Sequence, residues 1–439
     1  MKKYMSYLLI ILIVFSCAGC QNKKEAPIES VTEEETVNFY KNGDERFEEY
    51  LPMLEGKRTA LFSNQSGILL SDEEKAKEIG DGLDLFHEDA GIHVLDALIE
   101  KGVDVSLIFS PEHGFRGKAD AGAVVDDSID EKTGVPIVSL YGSDPYEQVR
   151  EHEDEFDVIL CDIQDVGLRF YTYYITMYKL MDACAQLNKS FIVLDRINPN
   201  GFYVDGPLLK EEYRSGVGAL EIPIVHGLTL GEMALMIQGE GWLSDSSEEL
   251  DLSVIPCLDY DHSMKVAIHS RPSPNLKDMR AIYLYPSLCL FENTVVSIGR
   301  GTEHPFEVYG SPYLKDLGYE HFFIPEDMSG AMDPVYEGEK CFGEDLRKMR
   351  LEKILDEGID LDYLINAYQR FHEQYPDKEF FGSANGNGCY WIDLLSGSDE
   401  LRTMIIEGYN EDEIKEVWKE DIESFKQLRR KYLLYPEES

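Results

Sequence analysis

The apolar and polar positions of the chain alternate between two periods. RTALFSN (58–64), VDVSLIFS (103–110), PIVSLYG (136–142), FDVILCDIQ (156–164) and KSFIVLDR (189–196) are near-continuous apolar runs of strand length. Between them, HEDAGIHVLDALIEKG (87–102) sets Ile92, Leu95, Leu98 and Ile99 at helical spacing and stops at Gly102. TYYITMYKLMDACAQLN (172–188) does the same with Ile175, Tyr178, Met181 and Ala185. Strands apolar on both faces, alternating with amphipathic helices, predict a parallel sheet covered on both sides. The expected unit is a Rossmann-like α/β domain over residues 46–210. The pattern breaks in the glycine-bearing stretch GPLLKEEYRSGVGALEIP (206–223). Beyond it come a helix in TLGEMALMIQGEG, a strand in DLSVIPCL, irregular stretches, and mostly helical spacing from Leu351. This predicts a second, smaller α+β domain over 211–439.

The first residues obey other rules. Lys2 and Lys3, the apolar run YLLIILIVF and the small-residue stretch SCAGC (16–20) read as a targeting segment over 1–20. Small residues before Cys20 resemble a bacterial lipobox, with Cys17 where Leu is usual. The expectation is cleavage before Cys20, lipidation of its thiol and a membrane tether outside the cytoplasm, with a flexible acidic linker over 21–45; a plain secretory signal cleaved nearby is the alternative.

Composition narrows the partners. A chain of 439 residues is too long for one ordinary core, in keeping with two domains. Its formal net charge of -43 argues against nucleic acid and against docking on anionic lipid, both of which need a basic surface. An anionic ligand must then be met by a few placed arginines. The cysteines beyond the leader (Cys161, Cys184, Cys257, Cys289, Cys341, Cys389) contain no CxxC pair. A disulfide is permitted outside the cell but spacing assigns none.

In an open parallel sheet, ligands bind at the carboxyl ends of the strands. The loops after four of these strands are polar: Ser63-Asn64-Gln65-Ser66-Gly67, then Ser110-Pro111-Glu112-His113-Gly114-Phe115-Arg116-Gly117, then Asp162 to Arg169, then Asp195-Arg196-Ile197-Asn198. Glu112 is the best general-acid candidate, because partial desolvation in a cleft raises a carboxyl pKa. His113 orients Glu112 or touches substrate, or is a loop histidine bonded to backbone. Asp162 and Asp165 suit water activation or hydroxyl binding, and Asp165 equally suits a capping role. Arg116, Arg169 and Arg300 suit a carboxylate, and each equally suits a structural ion pair. His226 reads as a site or a packing residue. No GxSxG, HExxH or complete dinucleotide fingerprint is present, so no serine-hydrolase elbow, metal or cofactor is expected.

The motifs also resemble a known family. ALFSNQSGI (60–68), SLIFSPEHGFRG (106–117), DIQDVGLRFYTY (162–173), VLDRINPNGFYVDGP (193–207), VHGLTLGE (225–232), RPSPNL (271–276), YPSLCLFENTVVSIGRGTEHPFEVYGSP (285–312) and RRKYLLYP (429–436) are similar, in order, to the NamZ family of exo-β-N-acetylmuramidases. The resemblance implies a Rossmann-like domain, a smaller α+β domain and an active site in the cleft between them. It implies release of terminal non-reducing N-acetylmuramic acid from peptidoglycan-derived saccharides, with Glu112 as the acid. The lactyl carboxylate of that sugar would suit Arg116 or Arg300. Candidate catalytic residues are therefore Glu112, His113 and Asp165, with Glu292, Glu307 or the substrate's own acetamido group as further options for the second catalytic group. Candidate substrate contacts are Asn64, Arg116, Asp162, Gln164, Arg169, Asp195, Asn198, His226, Asn275, Arg300 and Glu307. The chain departs from the family's usual pattern at FEN (291–293), DRINP (195–199) and Lys277, all on the expected cleft rim. A non-catalytic muropeptide-binding lipoprotein and a hydrolase of another acidic sugar or ester are the alternatives.

Overall fold

The computed structural model describes residues 40–71, 75, 91–111, 114–116, 127–140, 142, 144–244, 250–265, 267–268, 270–386 and 388–437. The expected leader, Cys20, most of the linker, and Glu112 and His113 lie outside the described residues.

The described strands are β1 (Thr59–Ser63), β2 (Ile68–Leu69), β3 (Ile92–His93), β4 (Val105–Ser110), β5 (Ser128–Ile129), β6 (Pro136–Ser139), β7 (Val158–Asp162), β8 (Ser190–Leu194), β9 (Leu252–Ile255), β10 (Val308–Ser311), β11 (His321–Phe323) and β12 (Cys341–Asp345). The helices are α1 (Phe47–Leu54), α2 (Val94–Glu100), α3 (Pro145–Glu151), α4 (Tyr173–Gln186), α5 (Leu230–Gly239), α6 (Met279–Leu288), α7 (Leu351–Glu357), α8 (Asp362–Gln374), α9 (Trp391–Ser396), α10 (Glu400–Glu407) and α11 (Glu411–Arg429). None of them is long and apolar enough to cross a membrane.

Among the described residues the main sheet has seven strands in the order β5-β6-β4-β1-β7-β8-β9. All neighbours are parallel except the antiparallel edge strand β5. Alternation along each strand builds two cores. Ala60, Phe62, Leu107, Phe109, Ile159, Cys161, Phe191 and Val193 face one layer. Leu61, Ile108, Val158, Leu160, Ile192 and Leu194 face the other, against Tyr50 and Leu54 of α1 and Val94, Leu95 and Leu98 of α2. This is why the strands read as continuous apolar runs: both faces are buried.

Two expected boundaries move. The strand in DLSVIPCL, assigned from the pattern to the second domain, is β9 and pairs in parallel with β8 from Phe191↔Leu252 to Leu194↔Ile255. The sheet therefore extends past residue 210. The expected linker also ends earlier than residue 45. Lys41 bridges Leu258, Gly43 N donates to Asp195 O at 2.7 Å, and Asp44 is wholly buried.

The rest of the chain carries a three-stranded antiparallel sheet, β10-β12-β11, and helices α7–α11. Its apolar residues, from Phe291 and Tyr309 to Trp418 and Phe425, join the first of the two cores. The tail folds back onto the main sheet: Tyr435 Oη donates to Asp195 Oδ2 at 2.5 Å, and Leu434 N to Glu232 Oε1 at 2.8 Å. Cys161, Cys184, Cys257, Cys289, Cys341 and Cys389 are all free thiols.

Candidate active site

Topology selects a point on the sheet. From β1 the chain moves outward through β4 to β6, then returns to the other side of β1 and continues through β7, β8 and β9. Connections leave β1 and β7 in opposite directions, so their carboxyl ends flank the switch point at which ligands bind in doubly wound sheets. Asn64, Gln65 and Ser66 come directly after β1; Ile163, Gln164 and Asp165 come directly after β7. The two loops are joined, because Gln164 N donates to Ser66 Oγ at 2.9 Å.

Asn64 organises the first loop. Its Oδ1 accepts from Ser66 N (2.9 Å) and Oγ (2.6 Å), and its Nδ2 donates to Tyr173 Oη at 2.8 Å. His93 supports it from below: Leu95 N donates to Nδ1, which leaves Nε2 to donate to Asn64 O at 2.8 Å. Burial pushes the His93 imidazole down to about 4, so it stays neutral. Its ring meets Phe115 edge-on at 4.8 Å.

Asp165 is 6% exposed; Oδ1 accepts from Gly167 N at 2.7 Å and Oδ2 has no hydrogen-bond partner among the described residues. Burial raises its carboxyl to about 7, close to where a proton-transfer group works best at neutral pH. Gly167 is needed at a φ of +79°, and a Cβ there would fall 2.2 Å from Asn198 Oδ1. Asn198 packs over it, donating to Leu228 O and accepting from Asn200 N. Gln164 Nε2 donates to Asp165 O and Ile197 O, binding the loops after β7 and β8 together.

The remaining sequence candidates fall into two groups. Several are engaged internally. Arg169 is fully buried, donating to the carbonyls of Pro207, Ile222 and Leu395 at 2.6–2.8 Å, and burial lowers it to about 10. It ties the irregular 206–223 stretch to α9. Asp195 accepts from Thr229 Oγ1, Gly231 N and Tyr435 Oη, so it caps α5; burial raises it to about 7. His226 accepts from Leu228 N, and burial lowers it to about 3. Arg116 makes a bidentate pair with Asp130 at 3.0 Å on both arms, with Asp96 at 3.8 Å. Burial raises Asp130, but the bonds from Arg116 and Thr133 outweigh it and hold the carboxyl below its ordinary range. Asp162 is wholly buried against Arg196, at 2.7 and 3.0 Å, and Arg196 also reaches Asp44 at 2.5 Å. Burial lifts Asp44 well above the usual carboxylate range.

The second group lies toward the smaller part. A segment at 270–276 crosses the switch point. Ser270 Oγ donates to Ser66 O, while Pro272 O accepts from Tyr171 Oη (2.7 Å), Tyr173 Oη (3.1 Å) and Gln65 Nε2 (3.2 Å). Farther along, Asn275 Nδ2 donates to Gly330 O at 2.9 Å. Gly330 borders a cavity of about 710 Å³ that contains Arg300 and Glu292, paired at 2.7 Å. Glu307 is 5% exposed, with Oε1 3.1 Å from His304 Nδ1.

Sequence reasoning missed Asp44, Ser66, His93, Tyr171, Tyr173, Arg196 and Pro272 as parts of this region. Ser66 and Arg196 stood in strand-end loops, the signal that finds them. Asp44 lay in a stretch without periodicity and gave none.

A doubly wound α/β sheet with polar loops gathered at its switch point defines a ligand-binding, enzyme-type domain. Residues 85–280 match the model "Exo-beta-N-acetylmuramidase NamZ, N-terminal", and residues 283–435 match the corresponding C-terminal model. The chain belongs to the NamZ family. It is 33% identical over 404 residues to the peptidoglycan beta-N-acetylmuramidase NamZ of Bacillus subtilis (strain 168), covering 88% of this chain and 89% of that one. Two crystal structures of DUF1343 family proteins from Bacteroides fragilis NCTC 9343 share the fold. One is 46% identical with a TM-score of 0.77, covering 91% of this chain and all of its own; the other is 28% identical with a TM-score of 0.71, covering 90% and 99%.

Proposed function

We propose that the protein is an exo-acting glycoside hydrolase that releases terminal non-reducing N-acetylmuramic acid from peptidoglycan fragments. Membership of the NamZ family across both parts of the chain carries this reading. The junction of the Asn64–Ser66 and Gln164–Asp165 loops at the switch point supports it, since that junction gives a saccharide a polar place to bind. Incubation with MurNAc-GlcNAc should yield free MurNAc, whereas GlcNAc-MurNAc should stay intact. Binding of both disaccharides without cleavage of either would favour a non-catalytic muropeptide receptor. Cleavage that ignores the lactyl group would favour a hydrolase of another sugar.

The reaction needs a proton for the leaving oxygen and a partner carboxyl for water or for the anomeric carbon. Glu112 is proposed as the acid and Asp165 as the partner, with His113 orienting Glu112. Cys20 is proposed as a lipidated anchor that holds the enzyme outside the cytoplasmic membrane, supported by SCAGC after an apolar run. The full chain expressed in a bacterial host should partition into the detergent phase, and Cys20→Ala should move it to the aqueous phase. A detergent-phase signal unchanged by Cys20→Ala counts against the anchor.

A further inference from the structure

We infer that the cavity beside Arg300 takes the neutral N-acetylglucosamine unit on the far side of the scissile bond, not the acidic sugar; this rests on the exo-muramidase reading above. The cavity, about 710 Å³, is of the size that holds a sugar-sized ligand.

The lining chemistry selects the occupant. Arg300 is the cavity's one formal cation among the described residues, and Glu292 Oε1 already accepts from its Nη2 at 2.7 Å. Asp333 adds a second carboxylate to the lining. One cation against two carboxylates disfavours an anionic ligand such as a lactyl carboxylate. The same carboxylates suit a ligand that brings hydroxyl and amide donors. Trp391, Met332 and Val335 supply apolar surface in the same cavity, and an indole face suits the C–H face of a pyranose. A neutral hexosamine combines both demands.

Position agrees. Gly330 on the cavity rim is held by Asn275, while Pro272, three residues earlier, is bonded by Tyr171, Tyr173 and Gln65 at the switch point. Three extended residues reach at most about 11 Å, so one short segment touches both the switch point and the cavity rim. Aromatic packing gives a second route: Arg300 lies over Phe306 at 5.1 Å, Phe306 meets Tyr285 at 4.7 Å, and Tyr285 meets Tyr171 at 6.2 Å. The saccharide would thus run from the strand ends across the 270–276 segment into the cavity.

The test compares kcat/KM on MurNAc-GlcNAc with kcat/KM on a 4-nitrophenyl MurNAc glycoside, which lacks the second sugar. Trp391→Ala should lower the ratio of the first to the second by about 10- to 200-fold, the range for losing an apolar pocket contact. Asp333→Asn, which tolerates the left-handed φ of +50° at this exposed position, should lower it about 3- to 10-fold, as for one charged hydrogen bond. An unchanged ratio in both variants overturns the inference. Equal losses on both substrates also overturn it, because they put the acidic sugar in the cavity. Calorimetric titration with methyl β-N-acetylglucosaminide reads the cavity without turnover: binding to the wild-type protein that weakens in Trp391→Ala supports the inference, and no binding counts against it. Wild-type protein that binds this probe yet cleaves neither substrate would refute the activity and leave the cavity's preference standing.

Discussion

Glu112→Gln should lower kcat on MurNAc-GlcNAc, whose sugar oxygen must be protonated as it leaves, by about 10²- to 10⁴-fold, the usual contribution of a positioned proton donor. Glutamine keeps the shape of the side chain and removes only the proton. KM should therefore change little, and the loss should sit in kcat. Asp165→Asn should act differently. Burial places the Asp165 carboxyl at about 7, so as a base it is protonated and idle below that pH and ionised above it. Activity of the wild-type enzyme should rise as pH passes through about 7, and Asp165→Asn should remove that limb of the profile. Near wild-type turnover by Glu112→Gln takes Glu112 out of the mechanism. A limb that survives in Asp165→Asn does the same for Asp165.

Arg196→Met should destabilise the fold by about 3–5 kcal/mol, measured from urea unfolding. The guanidinium is buried between Asp162 and Asp44, whose side chains are both fully shielded from water. Methionine fills similar volume but leaves the two carboxylates facing each other without a cation. The pH dependence has a defined sign. Burial raises the Asp44 carboxyl above its unfolded value, so the native state holds that proton more tightly. Its contribution to stability is full at acid pH and is lost as pH rises through the folded value. The deficit of Arg196→Met should therefore shrink on acidification to about pH 4, where carboxylates begin to protonate even in the unfolded chain. A loss under about 1 kcal/mol would mean that water reaches the triad and screens it. The triad joins the 40–46 strap to the loops after β7 and β8, so the same variant should also reduce activity.

Much of the fold was legible because burial on both faces writes itself into composition. The runs at 58–64, 103–110, 136–142, 156–164 and 189–196 became β1, β4, β6, β7 and β8, and the helical stripe at 172–188 became α4. DLSVIPCL was legible as a strand, but its sheet was not. Strand partners are chosen by long-range pairing, which no local period records. HEDAGIHVLDALIEKG was read as one helix, yet Ile92 and His93 pair with β2 and the helix starts at Val94, where His93 caps it. The local capping chemistry prevailed over the apolar spacing that included Ile92.

The sequence by itself determined the α/β class, the polar character of the loops after β1, β4, β7 and β8, and the family to which the chain belongs. These rest on short-range order: periodicity, residue type and spacing survive in one dimension. Tertiary structure alone decided which charges are available. Arg169, Arg116 and Arg300 look alike in the sequence. Folding seals Arg169 among carbonyls, pairs Arg116 with Asp130, and sets Arg300 in a cavity beside Glu292. A guanidinium's role depends on its desolvation and on the carboxylate that reaches it first, and both are fixed only when the chain folds.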